Sequence, residues 1–341
     1  MKFGPVPLSQ AEGKILAHHV AGPDGLRAFR KGKPLNELDV ARLRELGRRN
    51  VYVAELEPGD IGEDRAADRV SRAVSGENLQ RSKPHFGRVN LRAARLGVLW
   101  VDVERLIQLN ECEGITLATL AAGSVVQAGD TVATVKVIPF SVPETHLLQV
   151  EDLCRRGGPL LCVTALEPRR VSLILSGSTL TRRRVIDSFV PPLKKRIEAL
   201  ASEIRNIEFV PLEEEAGEEQ LAQTLRKEVE GGSNLIILAG ETAVMDRHDI
   251  APRAIERAGG AVVCFGAPVD PGNLLLIAYL GDVAVLGAPG CARSPKTNVI
   301  DWVLPRLLSG ERLARADIVR LGHGGLLEDT PLRPMPRNHL V

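Results

Sequence analysis

The chain has 341 residues, 44% of them apolar and 26% charged, a balance that argues against intrinsic disorder. Its 44 Lys and Arg against 43 Asp and Glu leave +1, and aromatic residues make up only 3%. Neither bulk positive charge nor stacking platforms are on offer, so no nucleic-acid partner is expected. No apolar run reaches the ~18 residues of a membrane span, and the Met1–Lys14 segment has no signal-type apolar region. A cytoplasmic protein without membrane contact is the expectation. The five cysteines (Cys112, Cys154, Cys162, Cys264 and Cys291) form no C-x-x-C pair, so neither a disulfide framework nor a structural zinc site is expected.

Residues 1–60 read as a small α+β unit. Lys31-Gly32-Lys33-Pro34 is a turn, Asn36 can cap a helix with Leu38, Leu43 and Leu46 on one face, and Val51-Tyr52-Val53 is a strand. Residues 61–85 are polar and glycine-dotted and read as a linker or a surface helix over Arg65–Val74. Residues 86–166 read as β-rich. Gly97–Val101 is a strand, turn signals stand at Ala122-Gly123 and Ala128-Gly129-Asp130, and Thr131–Ile138 alternates as a half-buried strand does. Pro139–Pro143 is too proline-rich for a central strand.

The pattern changes near Arg170, and residues 167–312 read as one α/β domain. Val171–Leu175, Ile207–Leu212 and Asn234–Leu238 are apolar runs alternating with helical stripes. One stripe is Leu193, Ile197, Leu200 and Ile204 after an opening Pro191-Pro192; the other is Leu221, Leu225 and Val229. Leu274–Leu280 and Val283–Leu286 form a hairpin around Gly281-Asp282, and Asn298–Leu308 is a closing helix. Continuous apolar strands between helices predict a three-layer, mostly parallel sheet covered on both faces. Residues 313–341 are expected to be an irregular tail, and Glu213-Glu214-Glu215 a solvated run.

Ligands of open parallel sheets gather at the carboxyl ends of strands. Three such ends carry unusual residues: Ser176-Gly177-Ser178-Thr179-Leu180 running on to Asp187-Ser188; Ala239-Gly240-Glu241-Thr242 leading to Asp246 and Asp249; and Gly287-Ala288-Pro289-Gly290-Cys291. Glycines and hydroxyls let backbone N–H groups approach an anion, and neighbouring carboxylates can hold a magnesium ion. Each segment also has a plain reading as a turn, Asp249 as the N-cap of a helix through Pro252 and Ile255, and Arg182-Arg183-Arg184 as a solvated face. No nucleophile-activating pattern surrounds Cys291, and His18, His19 and His248 lack metal-ligand spacing.

Taken in order, these segments resemble the molybdopterin-binding domain shared by molybdopterin adenylyltransferases, molybdenum insertases and competence-damage-type proteins. The insertase pattern runs S-T-G-D-E-L, I-x-D-[ST]-N, S-G-G-V-S-V-G-[DE], K-P-G-K-P and G-L-P-G-N-P. Its counterparts here are Ser176–Leu180, Ile186–Phe189, Ala239–Asp246, Asp270–Leu274 and Gly287–Cys291, spread over residues 170–310. The resemblance implies the molybdopterin-binding fold, with molybdopterin or the molybdenum cofactor as ligand. It implies Asp187 and Asp246 as catalytic carboxylates and Mg²⁺ ligands. Ser176, Gly177, Ser178, Ser188, Gly240, Thr242, Asp249, Pro289 and Gly290 would then form the pterin and phosphate cradle. It also implies a homo-oligomer, a dimer first of all, and a molybdoenzyme as client.

The departures have a direction. The acidic pair of the first motif is Ser178-Thr179, the second glycine of the third is Glu241, both lysines of the fourth are Asp270 and Asn273, and the last asparagine is Cys291. The expected function is binding of molybdopterin or its nucleotide form in molybdenum-cofactor assembly or delivery. One version performs molybdate or nucleotide transfer with magnesium. The alternative, which the lost charges favour, is a non-catalytic carrier, chaperone or sensor for a molybdoenzyme. A nucleotide-processing hydrolase is a third reading, without motifs of its own here. Glu241 would repel a phosphate unless a metal or an arginine, Arg182 or Arg293, compensates.

Overall fold

The computed structural model describes residues 1–212 and 216–327; the Glu213–Glu215 run and the tail from 328 lie outside the described residues. The chain divides into two compact units, Met1–Thr164 and Ala165–Val341.

In the first unit, Lys2–Pro7 and Ile15–Leu16 pair antiparallel with the two sides of Asn50–Glu55. The helix Glu37–Glu45 starts where Asn36 accepts from the Asp39 N–H at 2.9 Å while Asp39 accepts from the Asn36 N–H. Its inner face is Val40 and Leu43, packed with Leu8, Leu16, Phe29 and Val53. Leu38, expected on that face, points out at 79% exposure, since position 38 lies five residues from 43 rather than three or four.

A second cluster of the same unit draws on residues 66–163. Helix Glu63–Val74 sits inside it, burying Ala66, Ala67, Val70 and Val74 at helical spacing. The helix expected over Arg65–Val74 is therefore present, but one face is core rather than surface: small alanines made that face look polar. Ile115–Thr119, Thr131–Val137, Arg88–Ala93 and Leu79–Arg81 form an antiparallel sheet in that spatial order. Two helices, Val103–Asn110 and Glu144–Gly157, stand in the stretch read as β-rich. Arg69 grips the latter, donating to both carboxylate oxygens of Glu151 at 2.8 and 2.9 Å and to Glu144 at 2.8 Å.

The second unit is a six-stranded sheet. Its strands are β1 (Arg170–Gly177), β2 (Glu203–Pro211), β3 (Leu235–Gly240), β4 (Ala261–Phe265), β5 (Leu276–Leu280) and β6 (Val283–Gly287). In space they run β2-β1-β3-β6-β5-β4. Pairing is parallel from β2 through β6 and antiparallel from β6 through β5 to β4. The sheet is therefore mixed, with β5 the strand that runs against the other five. The Gly281-Asp282 turn reverses the chain between β5 and β6, and β4, which the sequence reading passed over, pairs antiparallel with β5 at the edge.

Helices α1 (Arg182–Ala199), α2 (Gly217–Glu230), α3 (Ile250–Arg257) and α4 (Val299–Leu308) belong to this unit. Helix α1 opens at Arg182, nine residues before the expected Pro191 start. Pro191 and Pro192 lie inside it and remove the N–H partners of the Asp187 and Ser188 carbonyls. Val185, Phe189, Leu193 and Ile197, spaced by four and all buried, override that loss. At ~1.5–3 kcal/mol for each fully buried large apolar side chain, the stripe outweighs two helix bonds. Ile204, expected to extend the stripe, belongs instead to β2. Within the tail read as irregular, Arg315–Val319 is a helical turn with Ile318 fully buried.

Candidate functional site

The register aligns the carboxyl ends of β1, β3 and β6. Ser176 lies opposite Gly240, and Leu238 opposite Gly287. The ladder continues one step as the Ala288 N–H donates to the Leu238 carbonyl at 2.7 Å. Three of the five sequence segments thus leave the sheet along one edge. Close approach makes two of the glycines necessary. A Cβ on Gly177 would stand 2.8 Å from the Glu241 Cβ, and one on Gly240 would stand 3.0 Å from the Ser176 hydroxyl.

Glu241 is the hub of the cluster. Its Oε2 accepts from the Ser178 backbone N–H at 3.1 Å and from the Thr181 hydroxyl at 2.7 Å, and its Oε1 accepts from Arg184 at 2.8 Å. These donors, Thr181 foremost and then the Ser178 N–H, hold the carboxyl below the usual glutamate range. From the third loop, Arg293 donates to the carbonyls of Gly240 and Glu241 at 3.0 and 3.2 Å. The Arg293 guanidinium lies over the Phe189 ring, 4.4 Å from its centroid.

Of the two arginines named as compensators, Arg293 holds the backbone and Arg182 lies over the Phe209 ring; the charge partner is Arg184. A signal for this was present in the sequence. Three consecutive arginines in the first turn of a helix oppose the helix dipole unless an anion meets them. Reading the helix as starting at Pro191 hid that. Thr181 and Arg196 were also missed. Arg196 reaches from α1 to the carbonyls of Ser294 and Lys296 at 2.9 and 3.0 Å and pairs with Asp301 at 2.8 Å.

The predicted carboxylates are engaged separately. Asp187 sits on α1, exposed, 3.6 Å from Arg183 one helical turn back. Asp246 accepts from the His248 N–H at 2.8 Å within its own turn. Asp249 accepts from the Ile250 and Met245 N–H groups at 2.8 and 3.1 Å, which makes it the cap of α3. Among the described residues no three His, Cys, Asp or Glu side chains form a metal-binding group. Asp187 and Asp246 thus lie on separate segments, each engaged within its own helix or turn.

Ser188 also lies on α1, its hydroxyl donating to the Val185 carbonyl at 3.0 Å. Ser176 and Ser178 flank Gly177 in the first loop, and Ser178 accepts from the Leu180 N–H. Thr242 is exposed beyond Glu241. Pro289 is buried and Gly290 exposed where the third loop begins a short 3-10 turn. Burial pushes the Cys291 thiol up, away from the thiolate a nucleophile needs. The Asp270–Leu274 segment is engaged by α4: a Cβ on Gly272 would lie 2.4 Å from Val299 Cβ, and the Val299 N–H donates to the Pro271 carbonyl at 3.2 Å. Leu180 and Met245 stand exposed on the first and second segments, at 94% and 69%.

No helix among the described residues is long and apolar enough to cross a membrane. A family described as a domain of unknown function (DUF8806) matches residues 5–55, the span of the N-terminal sheet and its helix. Curated proteins yield no match. Among solved structures, a molybdenum cofactor biosynthesis protein from Pyrococcus furiosus is 14% identical, with 92% of this chain covering 66% of that one at a TM-score of 0.25. This chain thus spans just under two thirds of that protein's length. A molybdopterin biosynthesis MoeA protein from Pyrococcus horikosii is also 14% identical, with 91% of this chain covering 75% of that one at 0.31. Molybdenum cofactor biosynthesis protein B is 13% identical, with 42% of this chain covering 96% of that one at 0.30.

Proposed function

We propose that the second unit binds a molybdopterin-type ligand and carries it, without turnover, in the assembly or delivery of the molybdenum cofactor. One observation carries the reading. Three strand-end segments that match the molybdopterin-binding pattern in order meet around Glu241 and Arg293 at one sheet edge. Basic charge from Arg182 and Arg183 in the first turn of α1 suits an anionic ligand approaching from outside. Exposed Leu180 and Met245 give an apolar rim for its ring system.

A carrier fits these residues better than a transferase does. Asp187 faces Arg183 on its own helix and Asp246 accepts from the His248 N–H in its own turn. What this chain's residues do is position and shield. Arg293 fixes the end of β3, Gly177 and Gly240 allow the loops to close on one another, and Glu241 ties the first loop to the second.

Mass spectrometry of the small molecules released from the natively purified protein tests the reading. A pterin recovered at near one equivalent is the expected result. Recovery of none from cells that make the cofactor would overturn it. Transfer of AMP or molybdate by the purified protein, supplied with ATP, Mg²⁺ and molybdopterin, would replace the carrier with the transferase.

A further inference from the structure

Glu241 occupies the position where an incoming anion would be received. A backbone N–H from Ser178, a hydroxyl from Thr181 and a guanidinium from Arg184 converge on one carboxylate. Those groups are only donors toward it, and together they match the needs of a phosphate, sulfate or molybdate oxygen face. Here the anion is covalently part of the chain. An internal group competes at an effective concentration of roughly millimolar or above, so a free anion binding weakly to the same donors is shut out.

We infer that Glu241 is a specificity-determining residue that fills the anion seat between the first and second loops, so that this chain refuses an oxyanion there. The inference deepens the proposed function and rests on it only for the ligand's identity: any pterin phosphate lies outside this seat, on the Arg182–Arg183 side. Three further contacts hold the plug in place. Arg293 clamps the carbonyls on both sides of the Glu241 N–H, and that N–H donates to the Ser176 carbonyl at 2.8 Å. Gly177 packs directly on the Glu241 side chain, where a Cβ would stand 2.8 Å from the Glu241 Cβ and 3.1 Å from its Oε2. A carboxylate offers acceptors alone, so whatever meets Glu241 from outside does so with hydrogen-bond donors, as the N–H edge of a neutral heterocycle would.

The test uses inorganic phosphate as probe on the full chain, followed by titration calorimetry. Wild type is expected to show no saturable binding, and Glu241→Gly to bind phosphate at least about tenfold more tightly than wild type, since a charge-assisted seat is opened. Adding Arg184→Ala to Glu241→Gly should remove at least about tenfold again. Glu241→Gln keeps the side-chain volume without the charge and should fall between wild type and Glu241→Gly. It carries the test if the glycine variant does not fold. Wild-type binding within about threefold of both variants would overturn the inference, as would binding by Glu241→Gly that ignores Arg184. Because phosphate is the probe, failure here is separate from failure to recover a pterin.

Discussion

Glu228 carries a carboxylate into the interior of the second unit, 1% exposed. Every direction around it is answered: Ser172 donates at 2.5 Å, Asn206 at 2.7 Å and Arg205 at 3.1 Å, with Ser233 bonded to Ser172 behind. Removing the acceptor strands these donors, so Glu228→Ala should cost about 3 kcal/mol by urea denaturation, and Glu228→Gln clearly less. A loss under about 0.5 kcal/mol would show that water satisfies the network unaided. The three aspartates of the candidate site separate by the same reasoning. Asp249→Ala loses the cap of α3 and should cost about 1 kcal/mol. Asp187→Asn and Asp246→Asn touch no buried group and should leave both stability and pterin retention within about twofold. A hundredfold fall in a transfer activity in either would mean the carboxylates are catalytic after all.

Helix α1 shows which features of the sequence could be read and which could not. Its inner stripe was half visible as Leu193 and Ile197, but the proline rule cut it at Pro191 and hid Val185 and Phe189. Spacing by four continues straight through the prolines, and burial decides the matter where a local propensity and a stripe disagree. The error spread into the site, because it left Asp187 and Ser188 in a loop and the three arginines on an idle face. Pro191 is exposed, so nothing packs in favour of its ring. Pro191→Ala should restore one helix bond and raise stability by about 1 kcal/mol after its entropic benefit in the unfolded chain is lost. A fall in melting temperature would show that the ring holds α1 in a bend the fold requires. The strands of the second unit were the most legible elements, since continuous apolar runs ending in glycine have few other readings. Strand β4, Ala261–Phe265, was passed over although it is as long as β5 and β6.

Two compact units, each with apolar clusters of its own, predict two unfolding transitions in calorimetry. Leu147 and Leu193 are fully buried, one in each unit. Leu147→Ala should lower one transition and Leu193→Ala the other, each by about 3 kcal/mol. A single transition moved equally by both would contradict this. Acid should weaken both units. Asp102, held low by the Arg105 N–H and guanidinium, Glu151 by Arg69 and Glu208 by Lys227 are all depressed in the folded chain. Their contribution is complete above the ordinary carboxylate range of about 4 and is lost as pH falls through the lower folded values. A denaturation midpoint flat from neutral pH to about 5 and falling below about 4 is the expected profile. Light scattering tests the dimer that the sequence resemblance implies; a monomer across the micromolar range would remove it.

Arg196 gives the loop from Gly290 to Lys296 a behaviour its shape does not suggest. A segment of this kind, one 3-10 turn between a strand and a helix, would ordinarily exchange its amide hydrogens within seconds. Here its carbonyls at Ser294 and Lys296 are fastened to α1, while the Ala292 and Ser294 amides are bonded within the turn at 3.0 and 2.9 Å. The deuterium clock of those amides should therefore run with α1 rather than with the chain's other surface turns. Arg196→Ala should set it free, making the third wall of the site the part that breathes.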